Sequence, residues 1–166
     1  MSRRIICENI RSAYNVGNII RTADALGRGV VISGYTPSPH TQPKVHKSAL
    51  GAENSIPLID FGDMVWDTQP AIQRARDKHL LCVAAEITQT SRPLSHDCFV
   101  SQDSIFLYDK KKYNGLAVWV GNEVTGVEQS TLAAMDLVVH IPMQGIKASL
   151  NVGQAAAIFM RERRGL

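Results

Sequence analysis

At 166 residues the chain is a normal size for one domain with one core, and its 45% apolar content is ordinary for a globular protein. No apolar run approaches the roughly 20 residues of a membrane span, and Ile5-Ile6-Cys7 is too short for the apolar region of a signal peptide, which points to a cytoplasmic protein. A net charge of +3 permits a nucleic-acid partner without requiring one, and RNA binding would need that charge gathered on one face.

In chain order, Ile5–Cys7 predicts a strand. The helix Val16–Leu26 follows, with Val16, Ile19, Ile20, Ala23 and Leu26 forming a core-facing stripe. Asn15 just before it suits an N-cap. Arg21 and Asn18 share another face. Val30–Ile32 predicts the next strand. Ser33–Lys44 carries Gly34, Pro37, Pro39 and Pro43 and reads as a loop; one this long inside a compact domain is often functional. Then come a strand at Pro57–Ile59, a helix at Met64–Lys78 and strands at Leu80–Ala85, Ile105–Leu107 and Leu116–Val120. The helix Glu128–Ala134, the strand Leu137–Ile141 and the helix Asn151–Arg164 complete the order. Alternation of this kind predicts a single α/β domain over residues 1–166, with a mainly parallel sheet flanked by helices and no separate RNA-binding extension.

Several motifs are absent. There is no GxGxxG after the first strand, no P-loop and no GxSxG elbow, so the usual dinucleotide, phosphate and hydrolase readings lose their support. His40, His46, His79, His96 and His140 show no metal-ligand spacing. Cys7, Cys82 and Cys98 are odd in number and far apart; Cys7 and Cys82 sit in apolar runs as buried reduced thiols. Three connections are left unexplained. One is Asn15–Gly27. The second is Gly121-Asn122-Glu123-Val124-Thr125-Gly126-Val127, where a strand ends and a carboxylate follows. The third is Ile141-Pro142-Met143 with Ser149-Leu150-Asn151-Val152, where Ser149 and Asn151 are both good capping residues.

Together these three segments resemble the signature motifs of the SpoU (TrmH-like) branch of the SPOUT RNA methyltransferases, in that family's order and spacing. Lys47–Ala52 and Ala85–Thr88 are similar to further family segments, so the resemblance spans nearly the whole chain. It implies an α/β sheet with a deep C-terminal trefoil knot, a homodimer with the first and last helices near the interface, and S-adenosylmethionine as cofactor. It also implies methyl transfer to a ribose 2′-hydroxyl of tRNA or rRNA, with tRNA favoured because a bare dimer can still grip a compact RNA. The implied cofactor contacts are Ala84, Ala85, Gly121, Ile141, Met143, Ser149 and Leu150, made largely through the backbone.

The residue matching Arg21 is the family's catalytic group, often described as a base. A guanidinium is a poor base. Arg21 is better read as a bidentate clamp on the phosphate beside the target ribose, with a phosphate oxygen or water accepting the proton. By the same resemblance, Asn15 orients Arg21 or the ribose, and Glu123 holds Arg21 or a backbone N–H. Ser149 and Asn151 fix their loop and approach the ribose. Arg11, Arg21, Lys44 and Lys47 are the candidate RNA contacts, whereas Lys110–Lys112 reads as a solvated surface run. The competing readings are an inactive RNA-binding SPOUT protein, a base-directed SPOUT methyltransferase and an unrelated flavodoxin-like nucleotide module.

Overall fold

The computed structural model describes residues 2–61, 67–94 and 112–161. β1 (Ser2–Glu8) leads into α1 (Ala13–Ala25). This helix begins earlier than its apolar stripe suggests, because Ser12 is the N-cap: its backbone is extended and its hydroxyl accepts the Asn15 N–H at 3.3 Å. Asn15 therefore lies in the first turn and is not the cap. β2 (Gly29–Ser33) is followed by the expected loop, which ends at Pro43. That proline opens α2 (Pro43–Ala49), a helix the sequence reading did not anticipate; its ring pre-sets φ at a position whose N–H needs no helical partner. Leu50 ends α2 in the left-handed region at φ 54°, an uncommon conformation for a leucine. A 3-10 turn at Ala52–Asn54 then precedes β3 (Leu58–Asp60).

The second half comprises α3 (Gln69–Asp77), β4 (Leu80–Ala85), β5 (Arg92–Pro93) and β6 (Gly115–Val120). α4 (Gln129–Ala133), β7 (Leu137–His140) and α5 (Val152–Arg161) complete it. The expected strand Ile105–Leu107, the start of the helix expected from Met64, and His96, Cys98, Lys110, Lys111, Arg163 and Arg164 lie outside the described residues. β5 was missed because it is two residues long and pairs only at the sheet edge.

The strands form one parallel sheet in the order β3-β2-β1-β6-β4-β7-β5. β1 is central, with Cys7 opposite Ile32 on one side and Val120 on the other. Alternate residues feed two cores, as strand geometry requires. Ile5, Cys7, Val83 and Val118 pack under α1, α2 and α5; Ile6, Cys82, Ala84 and Trp119 pack under α3 and the α4 segment. Because both faces are covered, these strands are near-continuous apolar runs. α1 and α2 approach closely at Gly17, where a Cβ would overlap Ser48 Oγ. Burial pushes the thiol of Cys7 up to about 12 and that of Cys82 up to about 11, so both are inert core residues as expected. Among the described residues no helix is long and apolar enough to cross a membrane, and no His, Cys, Asp and Glu cluster could hold a metal ion.

Candidate active site

In a parallel sheet every strand ends on the same edge, and ligands bind there. The C-terminal ends of β4, β6 and β7 border a cleft of about 270 Å³, which the N-terminus of α5 helps to wall. Gly121 allows the β6–α4 loop to fold back on itself: a Cβ there would overlap the backbone of Gly126 and Val127. Asn122 and Gly126 exchange backbone hydrogen bonds at 3.0 Å each.

Glu123 leaves this loop and reaches the start of α1. Its Oε2 accepts the Arg11 N–H at 2.8 Å, and its Oε1 accepts the Ser12 N–H at 3.0 Å and the Asn15 side-chain amide at 2.8 Å. Partial burial pushes this carboxyl up, but the donors from Arg11, Asn15 and Ser12 outweigh it and hold the group below its ordinary range. Asn15 Oδ1 in turn accepts Asn151 Nδ2 at 3.1 Å, and Asn151 Oδ1 caps α5 by accepting the Gly153 N–H at 2.9 Å. One chain of hydrogen bonds thus ties all three motifs together. Glu123 holds backbone N–H groups, not Arg21.

Three further groups shape the cleft that sequence reasoning did not single out. Asn122, 6% exposed, uses its full bonding capacity. It donates to the Asn9 carbonyl at 2.9 Å and Tyr35 Oη at 2.6 Å, and accepts the Val124 and Thr125 N–H groups at 2.7 and 3.0 Å. Glu86 Oε2 accepts the Val127 N–H at 3.0 Å, clamping the loop to the end of β4. At His140, Ser91 Oγ already donates to the Thr88 carbonyl and accepts its N–H, so the 2.9 Å bond to Nδ1 must use a proton from the imidazole. Asn122 was legible as part of the second motif; nothing marked Glu86 or His140 beyond their neighbours.

The structure gathers most of the expected residues. Ala85, Gly121, Ile141, Met143, Ser149 and Leu150 line the cleft, together with Glu123 and Asn151. Asn15 joins through its two side-chain bonds. Ala84 does not: strand alternation turns it into the core under α3. Arg21 does not either. It follows Asn15 by six residues, roughly 240° around the helix and about 9 Å along it. It is exposed beside two other grooves, one with Leu50 and Ser55, the other with Asn18, Thr22 and Arg161. Neither Asn15 nor Glu123 orients it. Arg11, Lys44 and Lys47 are also exposed. Among the described residues, none hydrogen-bonds the backbone of residues 142–150, which leaves a row of donors and acceptors beside the cleft.

Fold and site therefore define an α/β protein that binds a small ligand at the strand ends through backbone groups, inside a frame of internally bonded side chains. The model of the SpoU rRNA Methylase family matches residues 2–161, and the chain belongs to that family. A relative in Vibrio vulnificus (strain CMCP6), the 23S rRNA (guanosine-2′-O-)-methyltransferase RlmB, is 28% identical over 158 residues, covering 95% of this chain and 57% of the relative. The 23S rRNA (guanosine(2553)-2′-O)-methyltransferase RlmP of Bacillus subtilis (strain 168) is 28% identical over 161 residues, covering 97% and 57%. Among solved structures, the SpoU methyltransferase AviRb from Streptomyces viridochromogenes in complex with AdoMet superposes with a TM-score of 0.71 at 25% identity, covering 96% of this chain and 58% of that one. The chain thus spans little more than half the length of these proteins.

Proposed function

We propose that the protein transfers a methyl group from S-adenosylmethionine to a ribose 2′-hydroxyl of RNA. The carrying observation is the convergence of Glu123, Asn15 and Asn151 around a strand-end cleft in a chain of this family. Relatives named for 23S rRNA make ribosomal RNA the first target to test, ahead of the transfer RNA favoured by the chain's size.

The cleft residues fit the cofactor. Unbonded backbone groups in 142–150 suit an adenine edge and a ribose; Ile141, Leu150 and Phe159 offer apolar surface; Glu86 and Glu123 place negative charge in the wall. Ile141, Met143, Leu150, Gly121 and Ala85 would hold it. When bound it supplies an electrophilic sulfonium methyl. The protein's own part is alignment of the hydroxyl with that methyl, worth several kcal/mol by order of magnitude (~7–11 at the upper limit of orientation effects). Asn15 and Asn151 are placed for this because each is fixed by a second bond. Ser149 lies on the cleft wall beside them.

Arg21 lies outside the cleft of its own chain. A homodimer built on the first and last helices gives it a role: one protomer's Arg21 clamps the phosphate beside a ribose held at its partner's cleft. The insertion of β7 between β4 and β5 supports the threaded C-terminus that a trefoil knot requires. A soluble RNA-modifying enzyme of this kind belongs in the cytoplasm.

The test is methyl transfer from labelled S-adenosylmethionine to RNA from cells lacking the protein, with digestion to nucleosides. Label in a 2′-O-methylated nucleoside, lost with Arg21→Ala, is expected. Label on a base would replace this reading with a base-directed one. No label despite measured cofactor binding would leave an inactive RNA-binding protein.

A further inference from the structure

Tyr35 is an aromatic residue held at both ends and left 40% exposed. Its N–H donates to Asn9 Oδ1 at 3.1 Å, and its hydroxyl accepts Asn122 Nδ2 at 2.6 Å. The loop that carries it is pinned to the sheet. Thr36, 3% exposed, donates to the Cys7 carbonyl at 2.9 Å and accepts the Ile10 N–H at 3.0 Å. The Ser38 carbonyl accepts the Thr41 and Gln42 N–H groups at 3.3 and 2.8 Å. A tyrosine that served only to fill the core would be covered. A loop that served only to connect would not need Thr36 and Ser38 buried beneath it.

Position adds the second argument. Asn122 lines the cleft and its carbonyl oxygen holds the Val124 and Thr125 N–H groups, so Tyr35 stands one hydrogen bond from the cleft wall. Arg11, exposed, begins the connection from β1 to α1 on the same edge of the sheet, with its N–H on Glu123. A 2′-hydroxyl can enter such a cleft only if its nucleotide leaves the stack, and an unstacked base in a protein site rests on an aromatic face. A pre-fixed ring loses little freedom when a base stacks on it.

We propose that Tyr35 is the platform on which the base of the target nucleotide stacks, so that Asn122 couples base placement to the cofactor loop. This rests on the RNA-methylation reading. It makes Tyr35 a substrate-binding residue whose ring matters more than its hydroxyl, and Asn122 a positioning residue.

The experiment uses the full chain with RNA from cells lacking the protein, and compares wild type, Tyr35→Ala, Tyr35→Phe and Tyr35→Trp. Apparent KM for that RNA, its binding on filters and the calorimetric Kd for S-adenosylmethionine are measured for each. Tyr35→Ala should weaken RNA binding and raise the RNA KM by about 5- to 100-fold, the range one base–aromatic stack accounts for. Cofactor Kd should stay unchanged, and the Phe and Trp variants should remain close to wild type for RNA. Equal losses in the Ala and Phe variants, or loss of cofactor affinity in both, would make the hydroxyl's structural bond the whole role and overturn the proposal. Unchanged RNA binding in Tyr35→Ala would overturn it directly. A wild type that binds RNA through Tyr35 yet transfers no methyl would instead refute the methylation reading.

Discussion

Asn122 is the residue at which the structure commits itself most sharply. Asn122→Ala removes four hydrogen bonds at once. Their losses are unequal. The Val124 and Thr125 N–H groups lie on an exposed loop and regain water, as does the Tyr35 hydroxyl in part. The Asn9 carbonyl belongs to a residue only 4% exposed and is left without its side-chain donor. One unsatisfied buried acceptor costs about 1–3 kcal/mol and each lost bond about 1 kcal/mol net, so a destabilisation of about 2–4 kcal/mol is expected. At about 2–4 °C per kcal/mol for a chain of this size, Tm should fall by roughly 5–15 °C. Cofactor affinity should fall with it, because the same side chain shapes the loop on the cleft.

Asn122→Asp sharpens the test, since it keeps the shape and the acceptor oxygen for Val124 and Thr125. Its second oxygen would face the Asn9 carbonyl, 2.9 Å from the atom it replaces. Burial and that carbonyl both favour the protonated acid, so the folded-state pKa is raised above the unfolded value. The associated stability is present at low pH and is lost as pH rises through the folded value. Differential scanning calorimetry across pH, with wild type alongside, reads both variants. An Asn122→Ala protein within about 1 kcal/mol of wild type and unchanged in cofactor Kd would refute the reasoning. So would an Asn122→Asp protein whose stability difference from wild type does not change with pH.

Equal mixing of Arg21→Ala with Asn151→Ala chains should restore about one quarter of wild-type methyl transfer, since heterodimers of a two-fold assembly carry one intact composite site; no recovery after confirmed subunit exchange would place Arg21 in its own chain's site. Glu8 is fully buried with Oε2 unpartnered, and desolvation pushes its carboxyl up against the pull of the Glu128 N–H. A raised carboxyl contributes stability below its unfolded pKa that is lost as pH rises through the folded one, so Glu8→Gln should be the more stable protein at alkaline pH and lose that advantage in acid; urea unfolding at several pH values checks this. Gly17→Ala should cost about 1–3 kcal/mol by overpacking α1 against α2, and Ser48→Ala in the same chain should recover part of the loss, which thermal melts of the single and double variants would show.

The sequence was most legible where a residue has one task. The apolar runs of β1, β4 and β6 and the stripe of α1 are explained by burial alone, and they were placed within a few residues. The start of α1 was misplaced because Asn15 and Ser12 are both capping types, and only Glu123, 108 positions from Asn15, decides between them by engaging the Asn15 amide. α2 stayed hidden because seven residues carry little periodic signal and Pro43 reads as a loop residue until its helix is seen. Ala84 and Ala85 could not be separated by composition. A one-residue step along β4 decides which faces the cleft, and that depends on the pairing register with β7.

Glu123, Asn15, Asn151, Asn122 and Glu86 are chemically versatile side chains, yet each is committed to a bond that holds the frame in place. Ser149 has no such bond among the described residues, and neither does the backbone of 142–150. A site so arranged can bind and align, but it has no cation among its lining groups for a phosphodiester. The exposed Arg11, Arg21, Lys44 and Lys47 hold that charge elsewhere on the surface. A chain that must act on a polyanion with its cations outside its cleft needs either the substrate to wrap around it or a second chain to bring a cation in. Recovery of activity from mixed Arg21→Ala and Asn151→Ala chains separates the two, because wrapping alone cannot restore an arginine missing from the chain that supplies the cleft.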